Sequence, residues 1–191
     1  MLSFIEILKA ILFGIVEGIT EWLPVSSTGH MILLNEFVHM NVSEEFWDMF
    51  LVVIQLGAIM AVVVIYWKRL IPTNRATWIM WLKIIVACLP AAIIGLLFDD
   101  VFNALFYNYQ TVAIMLILVG VVFIIIERSN KNKIAKIDSI DDISYGQAFM
   151  IGVFQMIAAI FPGTSRSGST IVGSLMLGIS RTAAAEFTFF L

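Results

Sequence analysis

The sequence predicts an all-α polytopic membrane protein. It reads as an inverted-topology repeat, with transmembrane helices and two re-entrant, broken-helix regions that meet near the bilayer midplane. Three observations carry this reading: the composition, three long apolar runs, and a proline-broken motif that occurs twice. Of the 191 residues, 61% are hydrophobic and 13% charged, and the mean hydropathy is +0.99. A soluble domain runs near 45–50% apolar and about 25% charged. A water-soluble globule of this size has too little interior to hide so much apolar surface. The composition excludes a soluble enzyme, a disordered chain, a nucleic-acid binder and, with Cys88 alone, an internal disulfide. The net charge of −3 is uninformative, because orientation follows the placement of Lys and Arg. No cleavable leader is read at the start: Met1 to Phe4 lack a basic region, and Glu17 and Glu21 stand where a cleavage site would lie.

A hydrocarbon core of about 30 Å needs roughly 20 apolar residues in a helix. Trp47 to Trp67, Trp78 to Phe98 and Tyr107 to Ile126 meet that length. Lys68, Arg69, Arg75 and Lys83 cluster between the first two, and Arg128, Lys131, Lys133 and Lys136 follow the third. The connection 99–106 holds Asp99 and Asp100 and no basic residue. The positive-inside rule puts 68–77 and 127–142 in the cytoplasm, and 99–106 and 39–45 outside.

Two further apolar regions behave differently. Phe4 to Leu23 carries Glu17 and Glu21 in its second half, and Tyr145 to Leu177 is broken by Pro162-Gly163 and contains Arg166. After each break comes a short stretch, Ser26 to Phe37 and Ser167 to Leu177, only about 17–18 Å long as helix. Half-length helices broken by Pro, Gly and Ser mark re-entrant elements, tolerated only inside protein or beside a wet cavity.

The two regions align. Gly14 to Pro24 matches Gly152 to Pro162 at an offset of 138, both prolines open a polar loop, and Glu45-Phe46 is echoed by Glu186-Phe187. Unit two enters from the cytoplasm after Lys136 and returns there at Arg181. If unit one starts and returns outside, the units have opposite topology and their loops meet at midplane. The competing reading makes Phe4 to Leu23 a true span with a cytoplasmic N-terminus, which Lys9 favours. The chain reads as one membrane domain over 1–191, with unit one at about 1–130 and unit two at about 142–191. The chain stops within an apolar run, Phe187 to Leu191. A unit two as long as unit one would reach about residue 270.

Charges inside apolar regions are functional candidates by default, at about 2.5–3.5 kcal/mol each on insertion scales. Glu17 and Glu21 lie one turn apart on one helical face. They suit a bound cation, or a pair that faces water at the interface. Ser26, Ser27 and Thr28 precede a half-helix, where hydroxyls cap the helix and its free N–H groups can bind an anion. His30 lies three residues after Ser27 and shares its face; it is a candidate base or a satisfied polar residue. In Thr164 to Thr170, one Arg stands among five hydroxyls. Its planar fork matches phosphate oxygens, unless it pairs with Glu17 or Glu21 as a structural ion pair. Gln155 and Ala159 stand where unit one has its two glutamates, so the expected phosphate pocket is asymmetric: an acid–His half and an Arg–hydroxyl half. In this reading Ser27 attacks phosphorus with His30 as its base, Glu17 and Glu21 hold Mg²⁺ or Ca²⁺, and Arg166 stabilises the transition state. Ser26, Thr28, Ser165, Ser167 and Thr170 bind phosphate. Attack by His30 itself, or by a water, stays open.

Glu17-Gly18-Ile19-Thr20-Glu21-Trp22-Leu23-Pro24-Val25-Ser26-Ser27-Thr28-Gly29-His30 and Pro162 to Thr170 closely resemble the two signature motifs of the bacterial undecaprenyl-diphosphate phosphatases of the bacitracin-resistance family. Val53 to Gly57 and Gln147 to Phe149 are lesser matches. The resemblance implies a multi-pass enzyme of the bacterial plasma membrane with an active site opening outward. It implies hydrolysis of undecaprenyl diphosphate to the monophosphate carrier lipid of peptidoglycan synthesis, bacitracin resistance when overproduced, a divalent-metal requirement and a homodimer. A lipid-phosphate flippase using the same pocket is the competing function.

Overall fold

The computed structural model describes residues 3–106, 108–131 and 133–191. The described residues are almost entirely helical. In chain order the helices are α1 (Phe4–Thr20), α2 (Ser27–Phe37), α3 (Glu44–Leu70), α4 (Arg75–Phe106), α5 (Tyr109–Asn130), α6 (Tyr145–Ile160), α7 (Arg166–Met176) and α8 (Arg181–Phe190), with a single 3-10 turn at Ile140–Asp142 before α6. Three of them, α3, α4 to Phe98 and α5, are long and apolar enough to cross a membrane. Their outward faces carry large exposed side chains such as Val64, Leu96 and Ile117. In water that would be untenable; in lipid it is the expected surface.

The three spans fall where hydropathy places them, with one difference. The residues 99–106, expected as an outside connection, continue α4, which runs for 32 residues, about 48 Å. Two aspartates do not end a helix as Pro or Gly would, and the next described break comes only at Asn108, which caps α5 through its side chain. Tyr107, the expected start of the third span, lies outside the described residues.

Serine sets most of the starts. Ser3, Ser26, Ser43, Ser144, Ser165 and Ser180 each accept a backbone N–H from the first turn of α1, α2, α3, α6, α7 and α8, worth about 1 kcal/mol apiece. The pairs α1–α2 and α6–α7 are built alike. α1 has 17 residues and α6 has 16, while α2 and α7 have 11 each. The caps Ser26 and Ser165, and the helix ends Phe37 and Met176, correspond at an offset of 139, one more than at Pro24 and Pro162, because the second loop is one residue longer. Ser27 and Arg166 are therefore the equivalent first residues of α2 and α7.

Two separate cores hold these units. Phe13 of α1, Met31 of α2 and Met40 pack with Trp47 and Phe50 of α3, where Phe13 meets Trp47 edge-on at 5.0 Å. Ile84 and Ala87 of α4, Ile151 of α6 and Phe187 of α8 form the other. Lys83 of α4 is buried there, and its ammonium donates to the Asp141 carbonyl at 2.7 Å. That bond ties the 3-10 turn to α4.

The α4–α6 contact is backbone-close. A methyl group on Gly152 would lie 2.2 Å from the Ala87 carbonyl oxygen and 3.0 Å from Pro90, whereas Gly14, its counterpart in the alignment, has open space. Gly152→Ala is therefore expected to cost about 1–3 kcal/mol through overpacking, and Gly14→Ala to be near neutral or slightly stabilising as a better helix former. Thermal melting of the two variants in detergent checks the contrast.

Candidate active site

The two polar loops come together in the structure. A methyl group on Gly29 would lie 3.3 Å from the Gly163 Cα, and one on Gly168 would lie 3.1 Å from the Pro24 carbonyl oxygen. Each loop thus leans on the first turn of the other unit's short helix, and glycine permits the approach. Gly163 itself has φ +85°, in the left-handed region, and lies against Val112 of α5.

Between the loops lies a cavity of about 620 Å³. Its polar wall is made by Glu21, Ser26, Ser27 and Thr28 from one unit and Ser165, Arg166 and Ser167 from the other. The first residues of α2 and α7 line the same space, so two helix N-termini present their positive ends to it. In α2 the Gly29 N–H is capped by the Ser26 hydroxyl at 3.2 Å and the His30 N–H by the Ser26 carbonyl at 3.1 Å. In α7 the Gly168 N–H is capped by the Ser165 hydroxyl at 3.0 Å and the Ser169 N–H by the Ser165 carbonyl at 2.9 Å. In each helix the two N–H groups ahead of these, those of Ser27 and Thr28 and of Arg166 and Ser167, have no place in the helical ladder. Together they make a donor-rich anion site.

The Ser27 hydroxyl is buried and donates to the Glu21 carboxylate. Glu17, also buried, lies one helical turn before Glu21, whose backbone N–H donates to the Glu17 carbonyl at 2.9 Å. Ser27 is expected to share its proton with His30; in the structure its hydroxyl instead meets the Glu21 carboxylate. The His30 ring turns the other way, and its Nδ1–H donates to the Ser26 carbonyl at 2.7 Å. A carbonyl only accepts, so Nδ1 is the donor in this bond. Ser26 holds φ +65° without being glycine. Such strain persists only where surrounding bonds over-determine it, and here its carbonyl takes both His30 donors while its hydroxyl caps the helix.

Arg166 sits 3.9 Å from Glu21 with its side chain 53% exposed. That is too loose and too wet for a structural ion pair, so the guanidinium keeps most of its donors for the cavity. Ser165 is buried and its hydroxyl shares a 3.0 Å hydrogen bond with Ser167. Thr28 is exposed on the cavity wall. Thr170 is the one expected phosphate binder that the structure sets apart. It is fully buried, donates to the Arg166 and Ser167 carbonyls at 3.0 and 3.1 Å, and meets Thr188 of α8 at 2.9 Å. Its hydroxyl is engaged in joining α7 to α8.

Gln55, which falls within the lesser motif match Val53 to Gly57 and is not among the expected site residues, also lines the cavity. Its signal was available: it is the only polar side chain between Asp48 and Tyr66.

For a divalent ion, the described residues hold no cluster of three or more His, Cys, Asp or Glu. The neighbouring carboxylates of Glu17 and Glu21 offer two hard oxygen donors. That suits an ion which takes its remaining ligands from water and substrate phosphates, as Mg²⁺ commonly does.

The comparisons with known proteins agree with this chemistry. The family model for bacitracin resistance protein BacA matches residues 10–191. The chain is 64% identical to the undecaprenyl-diphosphatase of Desulfitobacterium hafniense, over 100% of this chain and 71% of that protein. It is 61% identical to undecaprenyl-diphosphatase 1 of Clostridium acetobutylicum, over 100% and 72%, and 56% identical to an undecaprenyl-diphosphatase of Enterococcus faecalis, again over 100% and 72%. A family model that spans nearly the whole chain, and identities this high over all of it, leave one assignment: the chain belongs to the bacitracin resistance protein BacA family.

Proposed function

We infer that the protein hydrolyses undecaprenyl diphosphate to undecaprenyl phosphate and inorganic phosphate. It thereby recycles the carrier lipid of peptidoglycan synthesis and confers resistance to bacitracin. The carrying observation is the convergence of two helix N-termini and Arg166 on one cavity whose wall holds the Glu21-bound Ser27. This arrangement binds a multiply charged anion and presents a nucleophile to it. A lipid-phosphate flippase is not favoured: the relatives carry the diphosphatase name, and carriage alone leaves the Ser27–Glu21 contact without a task.

The steps follow from the contacts. The free N–H groups of α2 and α7, with Arg166, Ser167 and Thr28, hold the terminal phosphate and stabilise the charge that develops on its oxygens. The Ser27 Oγ attacks phosphorus, its proton passes to Glu21, and the bond to the bridging oxygen breaks as the monophosphate lipid leaves. Water then attacks the phosphoserine; the protonated Glu21 returns its proton to the departing Ser27 oxygen, and inorganic phosphate leaves with the oxygen and protons of the water. His30 positions the strained Ser26 cap through Nδ1. Glu17 and Glu21 are the residues that would hold Mg²⁺ or Ca²⁺, which when bound neutralises diphosphate charge.

The two helix–loop–helix units are read as an inverted repeat with re-entrant arms. Their equal short helices, matching serine caps and touching loops support that reading. The basic clusters at 68–75 and 128–136 support a cytoplasmic face there and a site opening to the outer side of the plasma membrane. A homodimer rests on the family alone.

Purified protein in detergent should release phosphate from a prenyl diphosphate; a flippase would release none. EDTA should abolish the release, and Mg²⁺ or Ca²⁺ should restore it. Full activity in excess chelator would remove the metal role of Glu17 and Glu21.

A further inference from the structure

Gln55 lies on α3 in the middle of an apolar run. A primary amide carries two donors and an acceptor, and hydrocarbon satisfies none of them. Among the described residues no hydrogen bond engages this amide; it is half-buried and lines the same cavity as Glu21, Ser27 and Arg166. Ala58, Ile59, Val62 and Val63 line that cavity too. They stand three, four, seven and eight residues further along α3, which is one continuous helical face. Along α3 the wall is thus polar at Gln55 and apolar over the 58–59–62–63 face that follows it.

We propose that Gln55 is a substrate-positioning residue that donates its amide N–H to the phosphate nearest the lipid chain, while the 58–59–62–63 face takes the first isoprene units. The proposal rests on the diphosphatase reading above. In a prenyl diphosphate the order is chain, proximal phosphate, terminal phosphate. The terminal phosphate must meet Ser27 and Arg166, and the chain must meet an apolar wall. The group at the boundary meets the proximal phosphate. A neutral amide suits that place, since it donates without adding charge or exchanging protons. The proximal phosphate is retained in the product, so Gln55 holds substrate, transition state and product about equally. Such uniform binding sets KM and product affinity and leaves kcat alone.

The test uses phosphate release from farnesyl diphosphate by the purified protein, with farnesyl monophosphate as inhibitor. Turnover by the unaltered protein checks the reaction itself; its absence would overturn the diphosphatase reading, whatever Gln55 does. Given turnover, Gln55→Leu keeps the side-chain volume and suits a lipid-spanning helix. It should raise KM about tenfold, the loss of one hydrogen bond to a charged group or about 1.4 kcal/mol. The inhibition constant of the monophosphate should rise by a similar factor, with kcat within about twofold. Gln55→Asn withdraws the amide by one methylene and should shift KM and the inhibition constant the same way, with an unchanged melting temperature. Unaltered KM and monophosphate inhibition in both variants, or a fall in kcat without a change in KM, would overturn the role.

Discussion

Ser27→Ala is expected to abolish phosphate release, and Glu21→Gln to slow it by about 10²–10⁴, the range of a lost general base. The asymmetry follows from the hydrogen bond that the Ser27 hydroxyl donates to the Glu21 carboxylate. In the proposed mechanism, removing the hydroxyl removes the attacking atom. Removing the charge on Glu21 leaves that atom in place but without its proton acceptor. His30→Ala should cost less than Ser27→Ala, because the ring contacts Ser26 and acts by holding the cap. If His30 attacks instead, the order reverses: His30→Ala is dead and Ser27→Ala merely slow. Acid quenching of a labelled reaction separates the two, since a phosphoserine survives acid and a phosphohistidine does not. A reaction with no covalent adduct and with inversion at phosphorus in a single turnover would exclude both and assign the attack to water.

How far the chain could be read before its structure depended on the range of the interaction. Spans α3, α4 and α5 are fixed by local composition, and lipid rewards that composition directly. The polar loops are fixed by Pro24 and Pro162 with the serines that follow, whose capping acts over three residues. Both were readable residue by residue. The far end of α4 was not, because Asp99 and Asp100 predict solvent but do not predict an end to helical hydrogen bonding. Side-chain direction was least readable. Ser27 and His30 share a helical face, yet the hydroxyl turns back six residues to Glu21 while the ring folds onto Ser26. Nothing in their spacing chooses between these. Thr170 lies four residues into α7, so its hydroxyl bonds back to the Arg166 carbonyl one turn behind. Gln55 belongs to a helix far from both motifs in sequence, and only packing brings α3 to the cavity.

Arg166→Lys is expected to lose turnover by about 10²–10³, the cost of one transition-state donor, with little change in melting temperature. Lysine keeps the positive charge, so the field at the mouth of α7 is nearly preserved and substrate still binds. The planar fork, which can give two parallel N–H bonds to phosphate oxygens, is lost. The loss should therefore appear in kcat more than in KM. Stability should hold because the 3.9 Å approach to Glu21 by a half-exposed side chain contributes at most the small energy of a surface pair. The position matters as much as the charge. Arg166 and Ser27 are the first residues of α7 and α2, placed by equivalent serine caps on two helices whose loops touch. The guanidinium and the Ser27 hydroxyl therefore line the cavity from the two different loops. Near-normal turnover of Arg166→Lys would mean that charge alone suffices there. A large drop in melting temperature would instead make Arg166 a structural link between the two loops.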